Sequence, residues 1–568
     1  MQCAPIAIQA PAVMPTGPCR VPTPAPAGHP KLANVRCPID EVPEKYRLRI
    51  PMMQDTYLLN GSMVPWSGAY DNCHSPICTS QNAQGEWVPT VIGKVPSFTE
   101  RDALAALESC ERAWDSGRGL WPTLPVAKRI EAIENFTSMM ITRREEVVRL
   151  LMWEICKNRS DAEKEFDRTV KYIRDTLDAL KETDRASSRF QIEEGIFAQI
   201  RRAPLGVCLC MGPFNYPLNE TFTTLIPAVL MGNTCIFKPS KLGSLLHGPI
   251  LECFARCLPP GVVNVVYGRL CVAPIMKTGK VNCLAFIGSS KVSDGIRKDH
   301  PTPHRLRCVL GLDAKNPAIV LPCADVDMAV KECVLGSLSF NGQRCTALKL
   351  IFVHQIVAAR FCQRMVEEVD KLKVGLPWAE GVSLTPMPEA DKCKKMRELI
   401  DDALSKGAQL INAEQGGGQC TETAMVPAIL FGVTPAMRIF HEEQFGPVVP
   451  ICVYNSVQTP LDFIRDSPYG QQLAIFGTNP TEIAHLVDPL ANQVCRINLN
   501  SQCQRGPDTF PFTGRKDSAE QTLSVSDALR CFSIRTLLAA KHNPLNIQIV
   551  TSILHNRQST FLSTDFLL

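Results

Sequence analysis

The chain has 568 residues, 45% hydrophobic and 20% charged, enough apolar material to bury a substantial core and to exclude a globally disordered protein. Sixty basic residues against 56 acidic ones leave a net charge of +4, too weak an excess to call for a nucleic-acid partner. No apolar run is long enough to cross a bilayer, so a membrane partner is not expected either. At about 150 residues per domain, the length suits three or four structural units.

The 25 cysteines run from Cys3 to Cys531 with no CxxC pair and no His/Cys cluster at zinc-finger spacing, so no metal site is expected. Disulfide scaffolds are usually short and cysteine-dense. Reduced, buried thiols in a cytoplasmic protein are therefore the expectation, with one cysteine free to act as a nucleophile.

Residues 1–54 read as a Pro-rich, disordered extension. The first 39 contain no Asp or Glu and include Pro5, Pro11, Pro15, Pro18, Pro22, Pro24, Pro26 and Pro30, and proline removes the donors of helix and sheet ladders. Freedom from acids together with Arg20, Lys31 and Arg36 leaves an organellar targeting segment as the alternative to cytoplasmic residence. Thr99 to Asp102 resembles a capping box ahead of Ala103, Leu104, Ala106, Leu107 and Cys110, predicting a helix start. Pro125 precedes a second helical stretch through Ile130, Ile133 and Phe136.

Short apolar runs then alternate with helix-length segments. The runs are 207–211, 234–237, 262–267 and 284–287, resuming at 318–320, 348–353 and 473–476; the helices fall at 222–231, 245–257 and 273–277. Buried strands alternating with helices predict an α/β fold with parallel sheets, in two units. Gly416 to Gly418 precedes no helix and reads as a plain loop, and neither a GxxxxGK[ST] loop nor a GxGxxG fingerprint occurs. The stretch 530–538 reads as a β-rich end that pairs with a partner subunit.

Phe340-Asn341-Gly342-Gln343-Arg344-Cys345-Thr346-Ala347 sets a cysteine between a glycine turn and a guanidinium, where a thiolate is favoured. Gly212-Pro213-Phe214-Asn215-Tyr216-Pro217, Phe237-Lys238-Pro239-Ser240-Lys241 and Phe286-Ile287-Gly288-Ser289 each follow or end a predicted strand, and Glu442-Glu443-Gln444-Phe445-Gly446-Pro447 lies downstream. This ordered set, from about residue 55 to about residue 541, closely resembles the aldehyde dehydrogenase superfamily.

The resemblance implies that superfamily's fold: a Rossmann-like cofactor domain over 55–309, a catalytic domain over 310–515 and a small oligomerisation extension. The extension would comprise a hairpin near 188–203 and the segment 516–541, leaving 542–568 as a tail of unassigned role. It implies that Cys345 is the nucleophile and that Asn215 is an oxyanion donor beside the Cys345 backbone N–H. Cofactor contacts would come from Lys238, Ser240, Gly288, Ser289, Glu443 and Phe445. Lys241 stands where relatives that prefer NAD carry a Glu, and an ammonium there attracts a 2′-phosphate, pointing to NADP. Tyr216, Arg168, Arg344 and Arg505 resemble the non-phosphorylating glyceraldehyde-3-phosphate dehydrogenase branch. That likeness implies a phosphorylated aldehyde as substrate, since Arg forks pair with phosphate oxygens, and a homotetramer or homodimer as assembly.

Two alternatives stay open, a different small aldehyde or a catalytically silenced relative. The family's general base is a Glu in a Glu-Leu-Gly-Gly-Lys run, whereas Gly311-Leu312-Asp313-Ala314-Lys315 stands here. Gly311 takes the Glu position and cannot move a proton. Asp313, two residues on and on the same face of a strand, is the expected substitute.

Overall fold

The apolar runs become the strands of two parallel sheets in the computed structural model, which describes residues 29–565. The first sheet contains β1 (Val207–Met211), β2 (Thr234–Lys238), β3 (Val263–Val265), β4 (Cys283–Ile287) and β5 (Arg307–Gly311). Their order is β3-β2-β1-β4-β5, with every pair parallel. All of β1 and β4 is buried, which is why these strands read as continuous apolar runs rather than as alternating ones. The strand order reverses between β1 and β4, and such a switch point opens a crevice at the carboxyl ends of the strands. The segments beginning at Gly212, Pro239 and Gly288 all leave strands at that end.

The second sheet is made of β6 (Asn316–Val320), β7 (Leu348–His354), β8 (Gln409–Leu410), β9 (Ala428–Phe431), β10 (Val448–Tyr454), β11 (Gln472–Phe476) and β12 (Arg496–Leu499). Its order is β8-β9-β10-β7-β6-β11-β12, parallel except at the β8–β9 edge. β13 (Ala519–Glu520) returns to the first sheet and pairs antiparallel with β5, setting Gly311 opposite Ala519. The expected α/β class and both parallel units are present. The capping box at Thr99 forms as well, with Asp102 Oδ2 accepting from Thr99 N at 2.9 Å.

One expectation needs correction. Of the extension expected over 1–54, residues 1–28 lie outside the described residues, but 29–54 is packed against the body. Its prolines set short 3-10 turns at Pro30–Leu32, Ile39–Glu41 and Glu44–Tyr46. Leu32, Val35 and Val42 between them are 3% exposed or less, and Trp153 Nε1 donates to Tyr46 O at 2.7 Å. Proline forbids ladder positions, not buried turns.

The stretch 530–538 is paired on one side within its own chain and lies at the edge of that sheet. A helix, Val525–Cys531, leads into the strand Ser533–Lys541, which runs antiparallel to Ile196–Pro204; that strand in turn pairs antiparallel with Phe190–Glu193. The tail also folds back. It forms the helix Pro544–His555, and Ser563 O accepts from Gln199 Nε2 at 2.6 Å.

Candidate active site

The Cys345 turn is shaped by backbone that most residues avoid. After the helix Val326–Leu338 the chain passes through Phe340, Asn341 and Gly342 at φ of 49°, 57° and 70°. A Cβ at 342 would lie 2.7 Å from Ser337 O and 2.8 Å from Gly446 O, so only glycine fits this turn. Cys345 follows half-buried, just before β7. Its carbonyl oxygen accepts from Asn316 Nδ2 at 2.8 Å and from Lys349 Nζ at 2.9 Å. Asn215, 4% exposed, donates through Nδ2 to Gln343 O at 2.8 Å. Its amide is thus held against the same loop, and the second hydrogen of that amide suits an oxyanion. Burial pushes the Cys345 thiol up; Glu220 adds to the rise, while Lys349 and Arg505 oppose it.

Lys349 and Glu220 are functional candidates that sequence reasoning missed. Lys349 is 1% exposed, and its ammonium pairs with Glu443 Oε1 at 2.5 Å. The available signal was a lone charge inside the apolar run of β7. Glu220 lies in the first turn of the helix Asn219–Leu230, is 5% exposed, and forms an ion pair with Arg505. Nothing local marks it, because its partner comes 285 residues later.

The four expected substrate residues gather, but not as bare cations. Arg168 grips Asp508 with two hydrogen bonds, of 2.8 and 2.7 Å. Arg505 reaches Asp508 at 3.1 Å, pairs with Glu220, and lies 4.6 Å from the Phe512 ring centroid. Burial alone would raise Asp508, yet Arg168 and Arg505 hold its carboxyl below the ordinary range. Arg344 Nη2 donates to Gly336 O at 2.8 Å at the end of the helix Val326–Leu338, and its buried Nε has no hydrogen-bond partner. Tyr216 is held by the Lys157 ammonium, 3.4 Å from its ring centroid. Lys157 itself pairs with buried Glu165, whose Oε1 accepts from Leu218 N and Asn219 N at 3.0 and 3.2 Å.

The base position differs from its expected substitute. Gly311 ends β5, and a Cβ there would meet only Ile287 and Leu523 side chains at 3.4–3.6 Å. Asp313 Oδ2 accepts from Ser290 N at 2.9 Å and from Ser290 Oγ at 2.7 Å. Its carboxylate therefore caps the helix Ser290–Lys298, because free N–H groups at a helix start attract an anion. A base acts within hydrogen-bond reach of its proton, and one oxygen of Asp313 is already held by Ser290.

The residues expected to hold a cofactor stand just at or beyond the ends of β2 and β4 and in the segment before β10. Lys238 closes β2, its ammonium donating to Pro239 O at 3.2 Å, and burial lowers its pKa. Ser240 is half-buried and Lys241 exposed just beyond it. Gly288 N donates to Gly311 O at 3.0 Å, and exposed Ser289 precedes the helix start at Ser290. Glu443 is raised by burial, against Lys349, with Asp313 adding to the rise. Phe445 takes φ 44° and meets Phe214 edge-on at 5.9 Å. Two lysines, a helix start and a carboxylate along the switch-point crevice fit a dinucleotide.

The family model described as "Aldehyde dehydrogenase family" matches residues 86–536. A relative from Streptococcus equinus, an NADP-dependent glyceraldehyde-3-phosphate dehydrogenase, is 30% identical over 467 residues, covering 80% of this chain and 93% of its own. A lactaldehyde dehydrogenase from Methanococcus aeolicus is 27% identical over 435 residues, covering 75% and 90%. The solved NADP-dependent glyceraldehyde-3-phosphate dehydrogenase from Bacillus halodurans, complexed with NADP, superposes with a TM-score of 0.77 at 29% identity, over 86% of this chain and 99% of its own. With its two parallel sheets and a match over most of its length, this chain belongs to the aldehyde dehydrogenase family.

Proposed function

We propose that this protein oxidises D-glyceraldehyde 3-phosphate to 3-phosphoglycerate with NADP, through a thioester on Cys345 and without inorganic phosphate. The observation that carries the reading is the Asn215 amide held 2.8 Å from the Cys345 loop at Gln343 O. The Cys345 thiolate attacks the aldehyde carbon, and the oxygen becomes an alkoxide received by the Asn215 amide and the Cys345 N–H. One such donor lowers a barrier by about 3 kcal/mol. NADP, when bound, supplies the hydride acceptor that leaves an acyl group on Cys345. Water then releases the acid.

Lys238, Ser240, Gly288 and Ser289 would hold the dinucleotide, with Glu443 and Phe445 at its nicotinamide ribose. Exposed Lys241 supports a 2′-phosphate, in line with the NADP-dependent relatives. The unpartnered Arg344 Nε, with Arg168, Arg505 and Tyr216 nearby, supports an anionic substrate. The open strand Ser533–Lys541, with Ile534 and Leu537 exposed at its surface, supports a homodimer or homotetramer. The free thiols throughout the described residues support a reducing compartment such as the cytoplasm.

One observation favours a second reading. Arg168 and Arg505 already face Asp508 and Glu220, two positive charges against two negative ones. A phosphate dianion enters only if a carboxylate swings away or takes up a proton. An uncharged small hydroxyaldehyde meets no such repulsion.

The test compares NADPH formation from glyceraldehyde 3-phosphate and from unphosphorylated glyceraldehyde. Charged hydrogen bonds of about 1.5–3 kcal/mol give the phosphate substrate an advantage of about tenfold or more in kcat/KM. Equal values would instead support the second reading. Absence of even one turnover with either aldehyde would mark a silenced relative.

A further inference from the structure

Away from the catalytic residues, two cysteines and an arginine meet where the helix Lys392–Ser405 packs on the loop after the Gly416–Gly418 turn. Arg397 Nη2 lies 3.2 Å from Cys420 Sγ and also donates to Gly418 O at 3.2 Å. Cys393 lies one helical turn before Arg397, and its thiol points at Ala424 O, 3.7 Å away, beside the loop that carries Cys420. The bridge between Cys420 and Met425 fixes the loop that carries the outer thiol. Cys393 is buried at 6% exposure whereas Cys420 is half-exposed, so Cys420 is the more accessible residue of the two.

We propose that Cys420 is a peroxide-reactive thiol and Cys393 its resolving partner, forming a reversible intrachain disulfide. The chemistry balances with hydrogen peroxide as the oxidant. The Cys420 thiolate attacks one peroxide oxygen, the O–O bond breaks, and hydroxide leaves to give a sulfenic acid. The Cys393 thiol then attacks the Cys420 sulfur, an S–S bond forms, and water departs with the Cys393 proton. A dithiol reductant reverses the pair of steps.

The reactive sulfur is chosen by its neighbours. The neighbouring Cys393 thiol and then the Arg397 guanidinium lower the Cys420 pKa against burial, and Glu422 opposes them. Glu422 is itself paired with Arg36 at 2.6 Å, which blunts its repulsion. Most other shifted thiols are instead raised by burial, Cys257, Cys495 and Cys531 among the half-buried ones.

The pair also sits close to the cofactor side of the site. On the same helix, Lys392 Nζ lies 5.7 Å from the Phe445 ring centroid, and a Cβ at Gly446 would lie 2.4 Å from Met396 Sδ. Cross-linking Cys393 to the loop therefore fixes the helix that packs on the Glu443–Gly446 segment.

The experiment exposes full-length protein, wild type and Cys345→Ser, to a graded series of hydrogen peroxide, blocks the remaining thiols and maps the peptides by mass spectrometry. The expected result is a 393–420 cross-linked peptide at the lowest peroxide doses, reversed by dithiothreitol. Cys393→Ser should leave a dimedone-trappable sulfenic acid at Cys420, and Cys420→Ser should lose both products while keeping its basal aldehyde oxidation. Labelling of the untreated protein by iodoacetamide at neutral pH gives a readout that needs no variant: Cys420 should react at least tenfold faster than Cys257, Cys495 and Cys531. Labelling at the same rate as those thiols, or a first disulfide that joins other cysteines, would overturn the proposal.

Discussion

Around Cys345 three separate elements converge. The loop after β1 brings Asn215, β6 brings Asn316 and β7 brings Lys349, each with a hydrogen bond to the nucleophile segment. At the end of β5 the place expected to hold the base carries Gly311, and the nearest acid in sequence, Asp313, caps a neighbouring helix. In the proposed mechanism, making the thioester and resolving it with water are distinct tasks, set on different strands. The residues proposed for the first are tightly partnered while the place expected to hold the base is a glycine, so acylation and deacylation should separate kinetically.

Restoring the base should have the largest effect. Gly311→Glu places a carboxylate where a Cβ meets only ordinary side-chain contacts. General-base catalysis is worth about 10²–10⁴-fold, so steady-state NADPH formation should rise by that order while the first turnover changes little. Unchanged steady-state turnover in the variant would show that water is activated from elsewhere. Asn215→Ala works on the other half. Loss of one oxyanion donor should slow the first turnover about 10²–10³-fold, measured by rapid mixing, with the fold retained by circular dichroism.

Glu220→Gln tests how far the arginine pocket controls the nucleophile. Glu220 raises the Cys345 thiol and Arg505 lowers it, so removing the carboxylate and freeing the guanidinium act in the same direction. The reactive form is the thiolate, which accumulates as pH rises through the thiol pKa. The acid-side inflection of first-turnover rate against pH should therefore move to lower pH. The same change should raise kcat/KM for glyceraldehyde 3-phosphate about tenfold, one charged contact's worth, and leave that for glyceraldehyde nearly unchanged. The smallest effect belongs to Asp313→Ala. It removes a helix cap, a loss of about 1 kcal/mol read from urea unfolding, and should barely alter the first turnover. A hundredfold loss of steady-state rate would return Asp313 to the role of base.

Much of the scaffold was legible because buried parallel strands declare themselves as apolar runs. β1, β2 and β4 fall within a residue of their expected bounds, and their exits carry the motifs that mark the crevice. The segments that bring Asn215 against the Cys345 loop were readable because turn and motif are local. What stayed hidden depends on pairing across the chain. Glu220 meets Arg505 across 285 residues and Asp313 meets Ser290 across 23, so neither partner could be read from its neighbours. Residues 29–54 misled for another reason, since their prolines excluded ladders while Leu32, Val35 and Val42 still reached the core.

The most direct measurement of the central claim is a rapid-mixing trace of NADPH formation with saturating glyceraldehyde 3-phosphate. A burst of about one NADPH per Cys345, followed by a steady phase slower by about 10²-fold or more, is the result expected of an intact nucleophile beside a missing base. A linear trace with no burst and rapid turnover would contradict it, because hydrolysis would then keep pace with acylation without a carboxylate at position 311.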